Sequence, residues 1–208
     1  MHRKLIMVIT SFFLFFTVQA AEFTEGDHYL EIEGQITEKK EITEFFSFYC
    51  PACFRQEAFM NDLKASLPKD AVFNKNHVDG MPGRQSEIED LLTKALITAE
   101  YLHVEKQLVP AIFNYIHLDK ADFHNEKDIK SLFLVNDVDA EKFDKVFSSF
   151  SVNTRAKVMK KNTKDIRSQG FSGVPTLIVN GKYKPLTKNL KTMQEYKSLV
   201  LFLLNKEE

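Results

Sequence analysis

The spacing of apolar residues changes several times along this chain, and each change marks a different kind of element. Residues 5–18 form an almost unbroken apolar run behind the basic Met1-His2-Arg3-Lys4, and Val18-Gln19-Ala20 follows with small residues. The run is short for a membrane span and ends in a signal-peptidase pattern, so it reads as a secretory leader cut after Ala20. Ala21 is the alternative last residue of the leader, and an uncleaved anchor is the alternative reading of the run. Beyond the polar residues 21–27, Tyr29-Leu30-Glu31-Ile32 predicts a short edge strand. Residues 41–49 (EITEFFSFY) predict a buried, aromatic-rich strand. Phe54, Ala58, Leu63 and Leu67 then recur at helical spacing up to Pro68, with Pro51 suited to the first turn. Residues 71–78 predict a third strand, closed by the turn-rich Asp79-Gly80-Met81-Pro82-Gly83.

From Ser86 the period is helical. Ser86 and Glu89 have the spacing of a capping box, and Ile88, Leu91, Leu92, Ala95, Leu96, Ala99 and Leu102 follow on one face. Further helices are predicted near 105–117, 126–135, 139–149 and 152–168, with Asp139 as an N-cap. Strand character returns at Thr176-Leu177-Ile178-Val179. Asn180-Gly181 is a hairpin signal leading into Lys182-Tyr183-Lys184, and an amphipathic helix over 190–205 closes the chain. This order predicts an α/β sheet interrupted by an all-helical insertion. The divisions are a leader (1–20), a sheet-bearing domain (21–84 and 169–208) and a helical insertion (85–168).

Charge narrows the class. The 208 residues carry 28 Lys and Arg against 29 Asp and Glu; removal of Arg3 and Lys4 with the leader leaves 26 against 29, or −3. That is not the balance of a nucleic-acid binder. No later apolar run approaches the ~18 residues of a membrane span. A single chain of this size buries a sizeable core without staples. Its only cysteines, Cys50 and Cys53, therefore need another explanation. A disulfide between them closes too short a loop to stabilise much, and zinc would need about four ligands where the histidines are scattered. The basic run Arg155, Lys157, Lys160, Lys161, Lys164 and Arg167 reads as a solvated helix face, with partner or anion contact as the alternative.

The pattern that carries chemistry is Cys50-Pro51-Ala52-Cys53 at a predicted strand-to-helix junction. Unpaired N–H groups and the helix dipole at such a junction favour a thiolate on Cys50, the sulfur open to attack. Cys53, one turn further in, would close the disulfide. Stabilising the reduced thiolate makes the disulfide a stronger oxidant. Glu44 is a carboxylate in an apolar strand; buried, it would have a raised pKa and could accept the Cys53 proton. Solvent exposure at a sheet edge is the alternative for Glu44. Glu57 reads as a partly exposed helix residue of modest influence.

Glu44-Phe45-Phe46-Ser47-Phe48-Tyr49-Cys50-Pro51-Ala52-Cys53 resembles the active-site strand and helix start of the DsbA family of periplasmic disulfide oxidases. Gly173-Val174-Pro175-Thr176 with Val179-Asn180-Gly181-Lys182-Tyr183 is similar to that family's cis-proline loop and hairpin, and Lys75-Asn76-His77-Val78 to its third strand. The resemblance covers essentially the whole mature chain. It implies a thioredoxin fold with an inserted helical domain, a strongly oxidising dithiol, and Lys75 as partner of Glu44. It also implies a cis Val174–Pro175 bond packed against Cys50, with the Val174 backbone free to pair with an extended substrate segment. The implied partners are reduced exported polypeptides and a quinone-linked membrane oxidase of the DsbB type, in a periplasmic location; no bound cofactor is expected, and a monomer is favoured over an oligomer. The departure is Ala52, where the best-known members carry histidine; alanine offers the thiolate neither charge nor donor, so a weaker oxidant is expected. A disulfide isomerase or reductase, a narrow-specificity oxidase and a non-catalytic peptide-binding module are the competing readings.

Overall fold

The computed structural model describes residues 23–206; the leader and its cut at Ala20 lie outside the described residues. Five strands form one sheet in the order β1-β5-β4-β2-β3. These are β1 (Tyr29–Glu31), β2 (Glu41–Phe46), β3 (Val72–His77), β4 (Thr176–Val179) and β5 (Tyr183–Pro185). The parallel pair β2–β3 is joined through α1 (Pro51–Ala65), because a parallel crossover needs a long connection. β4 runs antiparallel to β2 on its other side and turns into β5, which pairs with the edge strand β1.

The turn between β4 and β5 is dictated locally. Asn180 and Gly181 both have positive φ (50° and 69°), and the Lys182 N–H closes on the Val179 carbonyl at 3.1 Å. Asparagine and glycine are the residues that tolerate this conformation. Gly181 also has the Gln35 carbonyl only 2.9 Å from where a Cβ would stand, so the site excludes larger residues.

Side-chain alternation in β2 sends Ile42, Glu44 and Phe46 to one face and Thr43 and Phe45 to the other. Ile42 joins Met60 and Leu63 of α1 and Tyr196, Leu199 and Leu203 of α7 (Met193–Leu204) in one apolar cluster. Phe45, Val78 and Ile178 pack with Ile166 on the opposite face. Between β3 and β4 the chain forms α2 (Ser86–Tyr101), α3 (Glu105–His117), α4 (Glu126–Leu134), α5 (Ala140–Phe147) and α6 (Phe150–Ser168). Their shared core includes Leu92, Leu96, Ile112, Phe113, Phe133 and Phe143 and continues into Phe46, Phe48, Cys50 and Cys53. The cysteines thus lie where the helical core meets the sheet.

Several local expectations shift. The strand expected over 41–49 ends at Phe46, and the backbone turns at Ser47 so that the Cys50 N–H reaches the Ser47 carbonyl at 3.0 Å. α1 ends at Ala65 rather than running to Leu67, and its inward face is Cys53, Glu57, Met60 and Leu63, leaving Ala58 exposed. The capping box at Ser86 does not form. Gln85 is the N-cap, and Glu89 turns inward to accept from the Gly80 and Met81 N–H groups at 2.7 and 2.9 Å. The fully buried Glu89 carboxylate takes these two loop donors rather than the N–H groups of its own helix end. α6 begins at Phe150, two residues before the expected start, because Ser149 caps it by accepting from the Val152 N–H. Asp139 caps α5 as expected.

Candidate functional site

Cys50 is the N-cap of α1. Its backbone is extended (φ −86°, ψ 113°), Pro51 follows in the first turn, and its Sγ accepts from the Cys53 N–H at 3.2 Å. Serine, threonine or aspartate ordinarily fills this position, so the sulfur stands where a helix best accommodates an anion. Both cysteines are free thiols and buried, Cys53 completely and Cys50 to within 4% exposure, so Cys50 is less open than its attacked-sulfur role suggests. The thiol of Cys50 also donates to the Val174 carbonyl at 3.4 Å. Val174 precedes Pro175, and the bond between them is cis.

The two sulfurs are driven apart in acidity. Cys50 is lowered to about 6, chiefly by hydrogen bonding from the Cys53 side chain, then by the Cys53 and Ala52 N–H groups and the Arg55 charge, against a burial effect that raises it. Cys53 moves upward, because its proton is shared toward Cys50 and burial disfavours its charge. One thiolate is therefore available near neutral pH, and it is the outer one.

Beneath the pair lies an ionic triad. The β2–β3 register sets Glu44 opposite Lys75 on the same face, and α1 lowers Glu57 onto them. Lys75 Nζ stands 2.8 Å from Glu44 Oε2 and 2.7 Å from Glu57 Oε2. Nζ also lies over the Phe46 ring at 4.5 Å, a cation–π contact. Glu44 is fully buried, and its Oε1 has no hydrogen-bond partner among the described residues. Burial raises its pKa, Lys75 pulls it down less strongly, and the Glu57 and Cys50 charges push the same way as burial. Lys75 is held up by its two carboxylates against burial. Glu57, expected to be partly exposed, is instead buried in this triad: it stands one turn beyond Cys53 on the inward face of α1, where a carboxylate needs a partner.

Two further side chains hold the loop before Cys50. His117, at the end of α3, has Nε2 2.8 Å from the Phe48 carbonyl and stacks on Phe54 with ring centroids 4.9 Å apart. Arg84 lies over the Tyr49 ring at 4.2 Å. Neither carries a motif in the sequence; only the folding of the helical block onto the sheet brings them there. Ala52 is half-buried and packs against the helical core, as Phe54, Met81 and Val174 also do.

The family model for the DSBA-like thioredoxin domain matches residues 41–197, from the first residue of β2 into α7. The chain belongs to the DsbA family. It is 31% identical to the thiol:disulfide interchange protein DsbA of Pectobacterium carotovorum, over 99% of this chain and 100% of that one. It is 32% identical to the DsbA of Buchnera aphidicola over the same shares. Among solved structures, DsbA of Klebsiella pneumoniae superposes with a TM-score of 0.77 at 26% identity, covering 90% of this chain and 100% of that one. Proteus mirabilis DsbA, a cysteine-to-serine variant with the non-covalently bound peptide PWATCDS, does so at 0.77 and 27%, covering 89% and 100%. The DsbA fold, a thioredoxin sheet with a helical insertion, is the one expected, and the activity that goes with the family is thiol–disulfide oxidoreduction.

Proposed function

We propose that this protein works in the periplasm, donating its Cys50–Cys53 disulfide to newly exported, reduced polypeptides. The observation that carries the reading is the Cys50 sulfur as N-cap of α1, accepting from the Cys53 N–H at 3.2 Å and meeting the Val174 carbonyl at 3.4 Å, a setting that drives the acidities of the two sulfurs apart. A substrate thiolate attacks Cys50 Sγ; the Cys50–Cys53 bond breaks, and Cys53 takes its electron pair and then a proton. A second substrate thiolate attacks the substrate sulfur of the mixed disulfide, forming the product disulfide and expelling Cys50 as a thiolate. A low-pKa thiol is the better leaving group, so the acidity of Cys50 favours this second step. Cys53, with its high pKa, holds its proton until reoxidation, when the Glu44 carboxylate, its pKa raised by burial and its position held by Lys75, accepts it.

Substrate lies against the Val174–Pro175 loop. The Val174 carbonyl that meets Cys50 belongs to the backbone that would pair with an extended segment, a mode that tolerates many sequences. The peptide bound to the Proteus relative contains a cysteine, which supports a polypeptide as the substrate class. A quinone-linked membrane oxidase of the DsbB type restores the disulfide. The test is oxidation of a reduced, unfolded protein by the disulfide form: stoichiometric formation of substrate disulfides is expected. No oxidation, with peptide binding that survives Cys50→Ser, would leave a binding module instead.

Ala52 sets the strength of the oxidant. Helix-end donors and Arg55 already lower Cys50, and a histidine at position 52 would add charge beside the sulfur. Ala52→His should raise the acid dissociation constant of Cys50 about tenfold and make the disulfide more oxidising by the same factor. Alkylation by iodoacetamide measures it: the wild-type rate should climb with pH and level off above about 6, and the variant's should level off lower. An unchanged or higher midpoint in the variant would reject this role for position 52.

A further inference from the structure

The six cations of α6 divide by direction. Val152, Met159, Thr163 and Ile166 are buried, at intervals of seven, four and three residues. Phe150, Lys157, Lys161 and Lys164 repeat those intervals two residues earlier, which places them about 200° away, along the line facing outward. All four are exposed, and Phe150, at 85%, is the most exposed of the large apolar side chains among the described residues. Cations on the flanks are engaged by the protein's own acids: Arg155 by Glu100, Lys160 by Asp79 and Asp90, Arg167 by Asp79. On the outward line, Lys157 and Lys164 make no ion pair among the described residues, and Lys161 has only Asp165 one turn along. Val158, half-exposed, flanks the line.

α6 has six cations and one acid in a chain whose overall balance is −1, so the rest of the chain carries six acids in excess. The positive charge is thus gathered on one helix. From Phe150 to Lys164 the line runs about 21 Å along the helix, and the hollow that Lys157, Lys161 and Lys164 border with Asp79 and Arg167 lies open to solvent. An aromatic side chain followed by a row of lysines, all in one plane, is the arrangement of an interfacial helix that meets acidic headgroups.

We propose that the outward face of α6 is a docking surface for an anionic phospholipid bilayer, with Phe150 entering the headgroup layer and Lys157, Lys161 and Lys164 facing lipid phosphates. Contact of this kind is weak and reversible, with one aromatic and three cations in place of a spanning segment. It would keep a soluble enzyme close to a membrane surface. The inference does not depend on the redox reading, and its test separates the two.

The leaderless full chain is sedimented with phosphatidylglycerol–phosphatidylcholine vesicles and with phosphatidylcholine vesicles alone. Partition onto the anionic vesicles should be at least tenfold higher, on the order of what three surface lysines supply, and should fall as salt is raised. Charge reversal at all three sites (Lys157→Glu, Lys161→Glu, Lys164→Glu) should reduce it to the neutral-vesicle level. Phe150→Ser should weaken it several-fold, roughly as loss of one inserted aromatic group predicts. Oxidation of a soluble reduced protein, measured alongside, should be the same in every variant and shows that each is folded. Equal partition on both vesicle types, or reversal variants that still bind, would overturn the proposal. So would an acidic soluble peptide that displaces the protein from anionic vesicles at micromolar concentration, since the face would then belong to a polypeptide.

Discussion

Cys50→Ser reduces disulfide transfer to the uncatalysed rate while leaving the protein folded. One atom has two roles here. As the N-cap of α1, Cys50 Sγ accepts from the Cys53 N–H, and a serine hydroxyl fills that position at least as well. Helix α1 should therefore lose no stability, and the unfolding free energy from urea titration should stay within about 0.5 kcal/mol of the reduced wild type. The chemistry, by contrast, is lost outright, because a hydroxyl cannot carry the mixed disulfide. Cys50→Ala separates the roles differently: it also removes the cap and should cost about 1 kcal/mol. Cys53→Ser should retain attack by Cys50 on a substrate disulfide and accumulate a trapped mixed disulfide, visible on a non-reducing gel. Residual turnover in Cys50→Ser would mean that the reacting sulfur is Cys53.

Lys75→Met has the largest expected effect on stability. Its Nζ stands less than 3 Å from both Glu44 and Glu57, with only 12% of the side chain exposed. Removing it leaves two carboxylates facing each other beneath the cysteines with no cation, a change that costs about 3–5 kcal/mol in buried sites. The pH dependence has a definite sign. The folded pKa of Glu44 is already raised above its ordinary value and should rise further without Lys75. A raised carboxylate contributes stability that is present at low pH and lost as pH climbs through the folded pKa. The gap in urea midpoint between variant and wild type should therefore be widest at neutral pH and narrow under acid. A second substitution, Glu44→Gln, should restore part of the loss. A uniform gap across pH would show that the triad contributes packing rather than charge.

Glu44 and Glu57 differ in how clearly the sequence shows them. Glu44 interrupts an aromatic strand, so its polarity is conspicuous and burial follows from its neighbours. Glu57 lies in a helix whose inward face is itself partly polar, Cys53 and Glu57 followed by Met60 and Leu63, so no apolar stripe marks which side faces in. The chain order of strands and helices is legible because turn-forming residues such as Asp79-Gly80-Met81-Pro82-Gly83 and Asn180-Gly181 separate the segments, even where, as in α1, the inward face is not marked. Ser86–Glu89 fails for a tertiary reason: the donors that claim Glu89 belong to Gly80 and Met81, in a loop whose path only the packed helices determine. His117 and Arg84 were invisible for the same reason. The Val174–Pro175 loop carried no intrinsic signal beyond a proline between a glycine and a strand, and resemblance alone pointed to it.

The contact between Cys50 and the Val174 carbonyl spans 124 residues of chain, and β4, which follows Val174, must pair with β2 after the whole helical block has been made. A polypeptide crossing a membrane from its N-terminus delivers the cysteines early and their carbonyl partner late. Long-range strand pairing of this kind is also slow to form. Until it forms, the two thiols sit on an unfinished sheet, and the finished reaction centre comes into being with the last strand. In the exported role proposed above, the protein would in that sense be its own checkpoint, its site complete only once β4 has joined the sheet.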